Sequence, residues 1–139
     1  MIAKDVIAKA RSLGACSGSD GVTDWKSLCW LFFTPQGREF CEERNFPPVE
    51  MFRGMEDSVR PYGVYVDSGH VDVTNPGNIA VIGDTEAVIT VNDNERVQKV
   101  ILMHGGKAKI IASCYAVILL VNIGGEVDIE KDETVVVLC

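Results

Sequence analysis

The residues best suited to metal or acid–base chemistry are two aspartates and a histidine close together. Asp67, His70 and Asp72 lie within six residues and could supply metal ligands or a proton-transfer pair. In an alternating strand His70 and Asp72 share one face, but Asp67 comes before the strand, at a turn. We therefore expect an exposed polar column, and the sequence predicts no bound metal.

A second candidate is His104-Gly105-Gly106-Lys107, which has the glycines and the lysine of a phosphate-binding loop. That motif also needs a glycine at position 101 and a serine or threonine at position 108. The chain has Ile101 and Ala108 there, so the motif fails and the sequence predicts no cofactor. We expect His104 at a corner between strands.

Cysteine chemistry is limited by number and spacing. The five cysteines form no CxxC pair, which disfavours a disulfide framework or a structural zinc site; they are Cys16, Cys29, Cys41, Cys114 and Cys139. Free thiols in a reducing cytoplasm are expected, with Cys114 buried and unreactive in an apolar run. With two histidines in the chain, no nucleophile–histidine arrangement can be argued from spacing, and we predict no enzyme activity.

The charge is negative and unevenly placed. The net charge is −7; residues 1–62 hold 8 basic and 9 acidic side chains, and residues 63–139 hold 5 and 11. An acidic second half disfavours nucleic-acid binding, and five acids between positions 126 and 133 predict a solvated acidic patch. Neither a secretory signal nor an apolar run of membrane-spanning length is recognisable, so no membrane association is expected.

A repeat in the second half predicts how these residues are positioned. Four segments run from small residues into an alternating strand, and their starts lie 16, 21 and 19 residues apart: Ser68–Val73, Asp84–Ile89, Gly105–Ile110 and Gly124–Ile129. Such a repeat is typical of a β-solenoid. The inner positions would be Val71, Val73, Ala87, Ile89, Ala108, Ile110, Val127 and Ile129.

The outer positions form two polar columns in this arrangement. Lys107 would lie between Glu86 and Glu126, and Lys109 beside Asp128. The paired glycines at 105–106 and 124–125 would make corners that need a positive φ or close packing. The uneven spacing favours a right-handed parallel β-helix of about four coils, with a left-handed hexapeptide helix and a small β-sandwich or β-roll as alternatives.

Residues 1–62 are predicted to form a small helical bundle that caps the solenoid of residues 63–139, an α+β fold. Expected helices cover Ile2–Leu13, ended by Gly14; a segment from Thr23 or Asp24; a segment from Thr34-Pro35 to Asn45; and a segment opened by Pro47-Pro48 that runs to about Arg60. Gly14–Val22 would be a loop.

The aromatic residues Trp25–Phe33 are predicted to be bundle core. Trp25, Leu28, Leu31 and Phe32 recur at helical spacing on one side, and Lys26 is the single basic residue among them, too few for a base-stacking platform. A ligand pocket built from the same aromatic residues is the alternative.

The chain ends in an apolar strand, Thr134–Cys139, that nothing further along the sequence can cover. An uncovered edge strand tends to pair with another chain. We therefore predict self-association, or docking onto another protein, through Val135, Val136, Val137, Leu138 and Cys139. The alternative is that the strand turns its side chains inward and exposes only a short edge.

Leu31–Cys41 (LFFTPQGREFC), with Asn45-Phe46-Pro47 and Gly63–Asp67 (GVYVD) after it, resembles small uncharacterised proteins encoded in prophage-like or mobile elements of gut bacteria. The resemblance covers most of the chain and implies no catalytic residue. It implies a setting in which short β-solenoids serve as particle or interaction parts.

These features favour a non-catalytic structural or protein-interaction module, in the cytoplasm or carried in a phage-like particle. Two alternatives come from other classes. One is a glycan- or small-ligand-binding module that uses Trp25 or Trp30, and the other is a minimal β-solenoid enzyme that uses His70 or Asp72. Four coils offer little concave surface for such an enzyme.

Overall fold

The computed structural model of the protein describes residues 1–15, 19 and 21–139. The chain divides into two compact units, Met1–Tyr62 and Gly63–Cys139. The first is helical and the second consists of parallel strands, so the α+β prediction is confirmed. Part of the predicted loop Gly14–Val22, including Cys16, lies outside the described residues.

The described helices of the first unit are α1 (Ala3–Ser12), α2 (Trp25–Phe32), α3 (Pro35–Arg44), α4 (Val49–Gly54) and α5 (Glu56–Val59), followed by a 3₁₀ turn at Arg60–Tyr62. Their ends follow the expected capping chemistry. Asp24 caps the start of α2. Thr34 caps the start of α3, where its Oγ1 accepts a hydrogen bond from the Gly37 amide at 3.1 Å, and Asn45 ends α3 with a φ of 49°. The helix predicted from Pro48 to Arg60 is interrupted after Gly54, a poor helix former.

Aromatic side chains pack edge to face inside this unit. The ring centroid of Phe32 lies 5.2 Å from that of Phe33 and 6.2 Å from that of Phe52, and the Phe40 and Phe46 centroids are 5.9 Å apart. Such pairs contribute about 0.5–1.5 kcal/mol beyond the burial of their area. The bundle-core prediction for this part of the sequence therefore holds for its phenylalanines.

The second unit is a β-solenoid of about four coils, each contributing a strand to two sheets. One sheet has the order β1 (Val64–Val66), β3 (Asn78–Ile82), β5 (Val97–Met103), β7 (Val117–Ile123) and β9 (Val136–Leu138). The other has the order β2 (Gly69–Thr74), β4 (Thr85–Val91), β6 (Lys107–Ala112) and β8 (Glu126–Lys131). Every described strand pairing is parallel, as a solenoid requires and a β-sandwich does not.

The register of the four-stranded sheet is the one that the repeat predicts. Glu86 pairs with Lys107 and Lys107 with Glu126, and Lys109 pairs with Asp128. The inner positions of this sheet meet those of the five-stranded sheet in one apolar core, which includes Ile89, Ile110 and Ile118, all fully buried. Each such side chain contributes roughly 1.5–3 kcal/mol on burial.

The five-stranded sheet shows no alternation in the sequence because most of its strands are apolar on both faces. In β3 the inward residues Ile79 and Val81 and the outward residues Ala80 and Ile82 are all fully buried. Strands of this kind are continuous apolar runs and carry no period of two. The repeat therefore revealed one strand in each coil, and the structure adds the second.

Candidate interaction surface

Asp67, His70 and Asp72 are arranged as the alternating strand predicted, with an exposed polar pair and Asp67 apart from it at a turn. His70 Nε2 lies 2.9 Å from Asp72 Oδ2 on the outward face of β2, where the two side chains are 64% and 70% exposed. Asp67 is instead used at a corner, where its Oδ1 accepts a hydrogen bond from the Asp84 amide at 2.8 Å. In residues 1–15, 19 and 21–139, no group of three or more His, Cys, Asp or Glu side chains is placed to hold a metal ion.

His104-Gly105-Gly106-Lys107 is a coil corner, as expected for His104. His104 and Gly105 have φ values of 54° and 86°. The Gly105 amide donates to the carbonyl of Gly124 in the next corner at 2.8 Å, and the Gly106 amide donates to Met103 at 3.1 Å. These amides bind neighbouring backbone, so the glycines serve chain reversal.

Cysteine exposure differs from the prediction at one position. Cys29 and Cys41 are buried in the helical unit, and burial raises the pKa of each thiol to about 12. The prediction that Cys114 is buried is wrong, because Cys114 and Tyr115 both have a φ of 60° and form the exposed turn between β6 and β7. The apolar run around Cys114 concealed this corner in the sequence.

The aromatic segment of α2 is also arranged differently from the prediction. Leu28, Cys29 and Phe33 are the buried side chains of this segment, and Trp25 is only half-buried. Trp30 is 70% exposed. Trp30 therefore lies outside the core that was predicted for this segment, whereas Trp25 is partly covered.

The predicted interaction residues divide into two sets on β9 and its flanks. Val135 is 4% exposed and lies in the solenoid core, and Val137 packs against the same core. Val136 and Leu138 point the other way and are each 49% exposed, and Cys139 is an exposed free thiol. The inward pair anchors the strand, and the outward residues are exposed.

Val136 and Leu138 continue an apolar surface that crosses three strands. Strand register places Val136 beside Val117 and Val117 beside Val97, which is 46% exposed. It also places Leu138 beside the half-buried Leu119. We call these five residues, Val97, Val117, Leu119, Val136 and Leu138, the apolar patch. Its sequence signal is the unbroken run Val117–Val121, which leaves the outward side of β7 apolar.

The outward face of the other sheet is charged. Lys107 has a carboxylate on each neighbouring strand by register, whereas Lys109 Nζ reaches diagonally to Glu130 Oε1 at 3.2 Å. Exposed pairs of this kind contribute only about 0–1 kcal/mol each. They select the strand register more than they stabilise the fold.

Both sheets end at the last coil. β9 pairs only with β7, and β8 pairs only with β6, so each strand is the outermost of its sheet in the part of the chain that the structure describes. Outermost strands present backbone groups that another strand can pair with. The end of the solenoid thus combines two strand edges with Val136 and Leu138, the outermost residues of the apolar patch.

No helix among the described residues has the length and apolar character needed to cross a membrane. Comparisons of the chain with protein-family models, with curated proteins and with solved structures found no match.

Proposed function

We propose that this protein is a non-catalytic interaction module that self-associates through its last coil. The observation that carries the proposal is the apolar patch, in which Val97, Val136 and Leu138 are each nearly half exposed in one continuous surface. Contiguous exposed apolar surface on a folded protein marks an interaction site more often than isolated apolar residues do.

A two-fold dimer is the arrangement we propose, because it places the same patch of both copies in contact. Val136 and Leu138 would lie at its centre, and Val135 and Val137 would hold β9 in place from the core side. Cys139 would lie at the rim. The free state of the described cysteines fits a reducing compartment, and we place the protein in the cytoplasm or in a phage-like particle. This setting follows the resemblance carried by Leu31–Cys41.

Light scattering on a sizing column, at several protein concentrations, tests the proposal. We expect the full chain to dimerise. The double variant Val136→Lys with Leu138→Lys should be a folded monomer, because dimerisation of that variant would bury unpaired lysine charges in the contact. The matched control is Ile111→Lys with Tyr115→Lys, which adds the same charge at exposed apolar residues outside the patch. That control should remain a dimer.

A full chain that is monomeric at every concentration would contradict self-association. The exposed Trp30 then supports the second candidate, a glycan- or small-ligand-binding module. Ligand screens would begin at Trp30, because an exposed indole offers an apolar face to a sugar ring or another flat ligand.

A further inference from the structure

The free edge of β8 differs in chemistry from the apolar patch. Strand β8 has six residues, Glu126–Lys131, and within the described chain only one of its two edges is paired, with β6. The inward side chains of Val127 and Ile129 are half-buried, whereas their partners on β6, Ala108 and Ile110, are 6% and 0% exposed. Within the described chain the apolar core is therefore open beside β8, and an added strand would cover it.

The outward side chains of the β8 edge are acidic. Glu126, Asp128 and Glu130 alternate along the strand and are exposed. Two of these acids lie beside cations of the neighbouring strand, because Lys107 and Lys109 on β6 pair with Glu126 and Asp128, so the charge changes sign from β6 to β8 at both positions. Opposite charges on directly paired strands stabilise a sheet, and like charges destabilise it. A strand next to β8 would continue this alternation only if it carried cations.

A second copy of this chain does not meet that requirement. Pairing β8 with β8 of another copy would bring Glu126, Asp128 and Glu130 of both copies together. Pairing β8 with β2 of another copy in the same register would place Asp128 beside Asp72, which already lies 2.9 Å from His70. The edge therefore favours a different chain, whereas the apolar patch on the other sheet remains free for self-association.

We propose that β8 accepts an extended basic segment of a partner protein, with Lys or Arg at alternate positions and β-branched residues between them. The cations would lie beside Glu126 and Asp128, and the apolar residues would cover Val127 and Ile129. This is strand addition, in which backbone hydrogen bonds supply affinity and alternate side chains supply specificity. The proposal is independent of self-association because it uses the other sheet.

Three capped, fluorescein-labelled peptides of nine residues test the proposal with the full chain. The first alternates lysine with valine. The second has the same composition with the lysines in one block, and the third replaces each lysine by glutamate. Fluorescence anisotropy should show saturable binding of the alternating peptide, at least about tenfold tighter than that of either other peptide.

A pair of variants matched in charge separates strand addition from general attraction to an acidic protein. Glu126→Lys with Asp128→Lys changes the edge, and Glu42→Lys with Glu43→Lys changes exposed positions on α3. Each double change raises the net charge from −7 to −3, because each substitution adds two units. We expect the edge variant to lose binding by about tenfold or more and the α3 variant to retain most of it.

Amide hydrogen exchange locates the peptide, with slower exchange expected at residues 126–131 on addition of the alternating peptide. Equal binding of the alternating and block peptides, or equal loss in both variants, would overturn the proposal in favour of general attraction. No binding up to about 1 mM peptide would also overturn it. If the edge variant fails to fold, Glu126→Gln with Asp128→Asn takes its place and should weaken binding in the same direction.

Discussion

Adjacent glycines perform different tasks at the coil corners. Gly105 has a φ of 86° and no atom within 4 Å of where a side chain would begin. At Gly106 a side-chain carbon would overlap the carbonyl oxygen of Val81, and at Gly125 it would lie 2.5 Å from the oxygen of Gly106. The first glycine of the corner therefore supplies a backbone conformation, and the second allows close packing of one coil on the next.

These two tasks predict different responses to substitution. Gly106→Ala should destabilise the solenoid by about 1–3 kcal/mol, because the backbone of β3 cannot move aside without loss of its hydrogen bonds. Gly105→Asn should cost less than about 1 kcal/mol, because asparagine tolerates a positive φ and space is open there. Urea unfolding followed by circular dichroism measures both. Equal losses in the two variants would show that close packing at Gly106 is unimportant.

At the scale of single elements, α2 depends on an exposed aspartate at its start. Asp24 Oδ1 accepts a hydrogen bond from the Ser27 amide at 2.8 Å. This bond, with a smaller contribution from the Ser27 hydroxyl, lowers the pKa of Asp24 below its ordinary value. The carboxylate thus satisfies one of the free amide groups at the beginning of the helix.

The lowered pKa gives this cap a defined pH dependence. Its stabilisation is complete above the ordinary aspartate pKa of about 3.9 and is lost as the pH falls through the lower folded value. Carboxyl chemical shifts of Asp24 should therefore titrate below about 3.9. Ser27→Ala would remove the hydroxyl but keep the amide, so Asp24 should retain part of the shift. An Asp24 that titrates at or above its ordinary value would contradict the capping geometry.

The strands show why one sheet was recognisable and the other was not. In β6, Lys107 and Lys109 alternate with Ala108 and Ile110, and the alternation gives both the strand and its inner face. In β5 the last four residues, Val100–Met103, are all fully buried. A strand that is buried on both faces has no hydrophobic period, and only its pairing in space identifies its inner side.

At the scale of the whole molecule, the cysteines distinguish the two units. Cys29 and Cys41 are buried in the helical unit, and Cys114 and Cys139 are exposed in the solenoid unit. Thiol reagents react with the thiolate and need access to the sulfur atom. The raised pKa values of Cys29 and Cys41 keep their thiols protonated, and their burial keeps reagents away from the sulfur atoms.

Alkylation by iodoacetamide at pH 8 should therefore modify Cys114 and Cys139 rapidly and leave Cys29 and Cys41 unmodified until the helical unit opens. A Cys16→Ser background simplifies the peptide masses. Mass spectrometry after timed quenching measures each site, and the denatured protein, in which all sites should react alike, is the control. Modification of Cys29 or Cys41 as fast as that of Cys114 would contradict their burial.

The amino-acid sequence by itself determined the division into helices followed by a solenoid, the register of the four-stranded sheet and the identity of several caps and corners. These features are local or periodic. Thr34 caps the helix next to it, His104 lies at a corner made by its neighbours, and an alternating strand has only one apolar face to bury.

Only the tertiary structure decided which apolar residues remain exposed. Three exposed residues lie in apolar stretches of sequence that also contain buried residues: Cys114, Trp30 and Val136. Cys114 is exposed because the chain turns there with a positive φ, whereas the exposure of a side chain within a helix or strand depends on which element lies opposite it, and that element belongs to a distant part of the sequence. The apolar patch is likewise invisible in the chain, because Val97, Val117 and Val136 are separated by 20 and 19 residues and meet only through strand pairing.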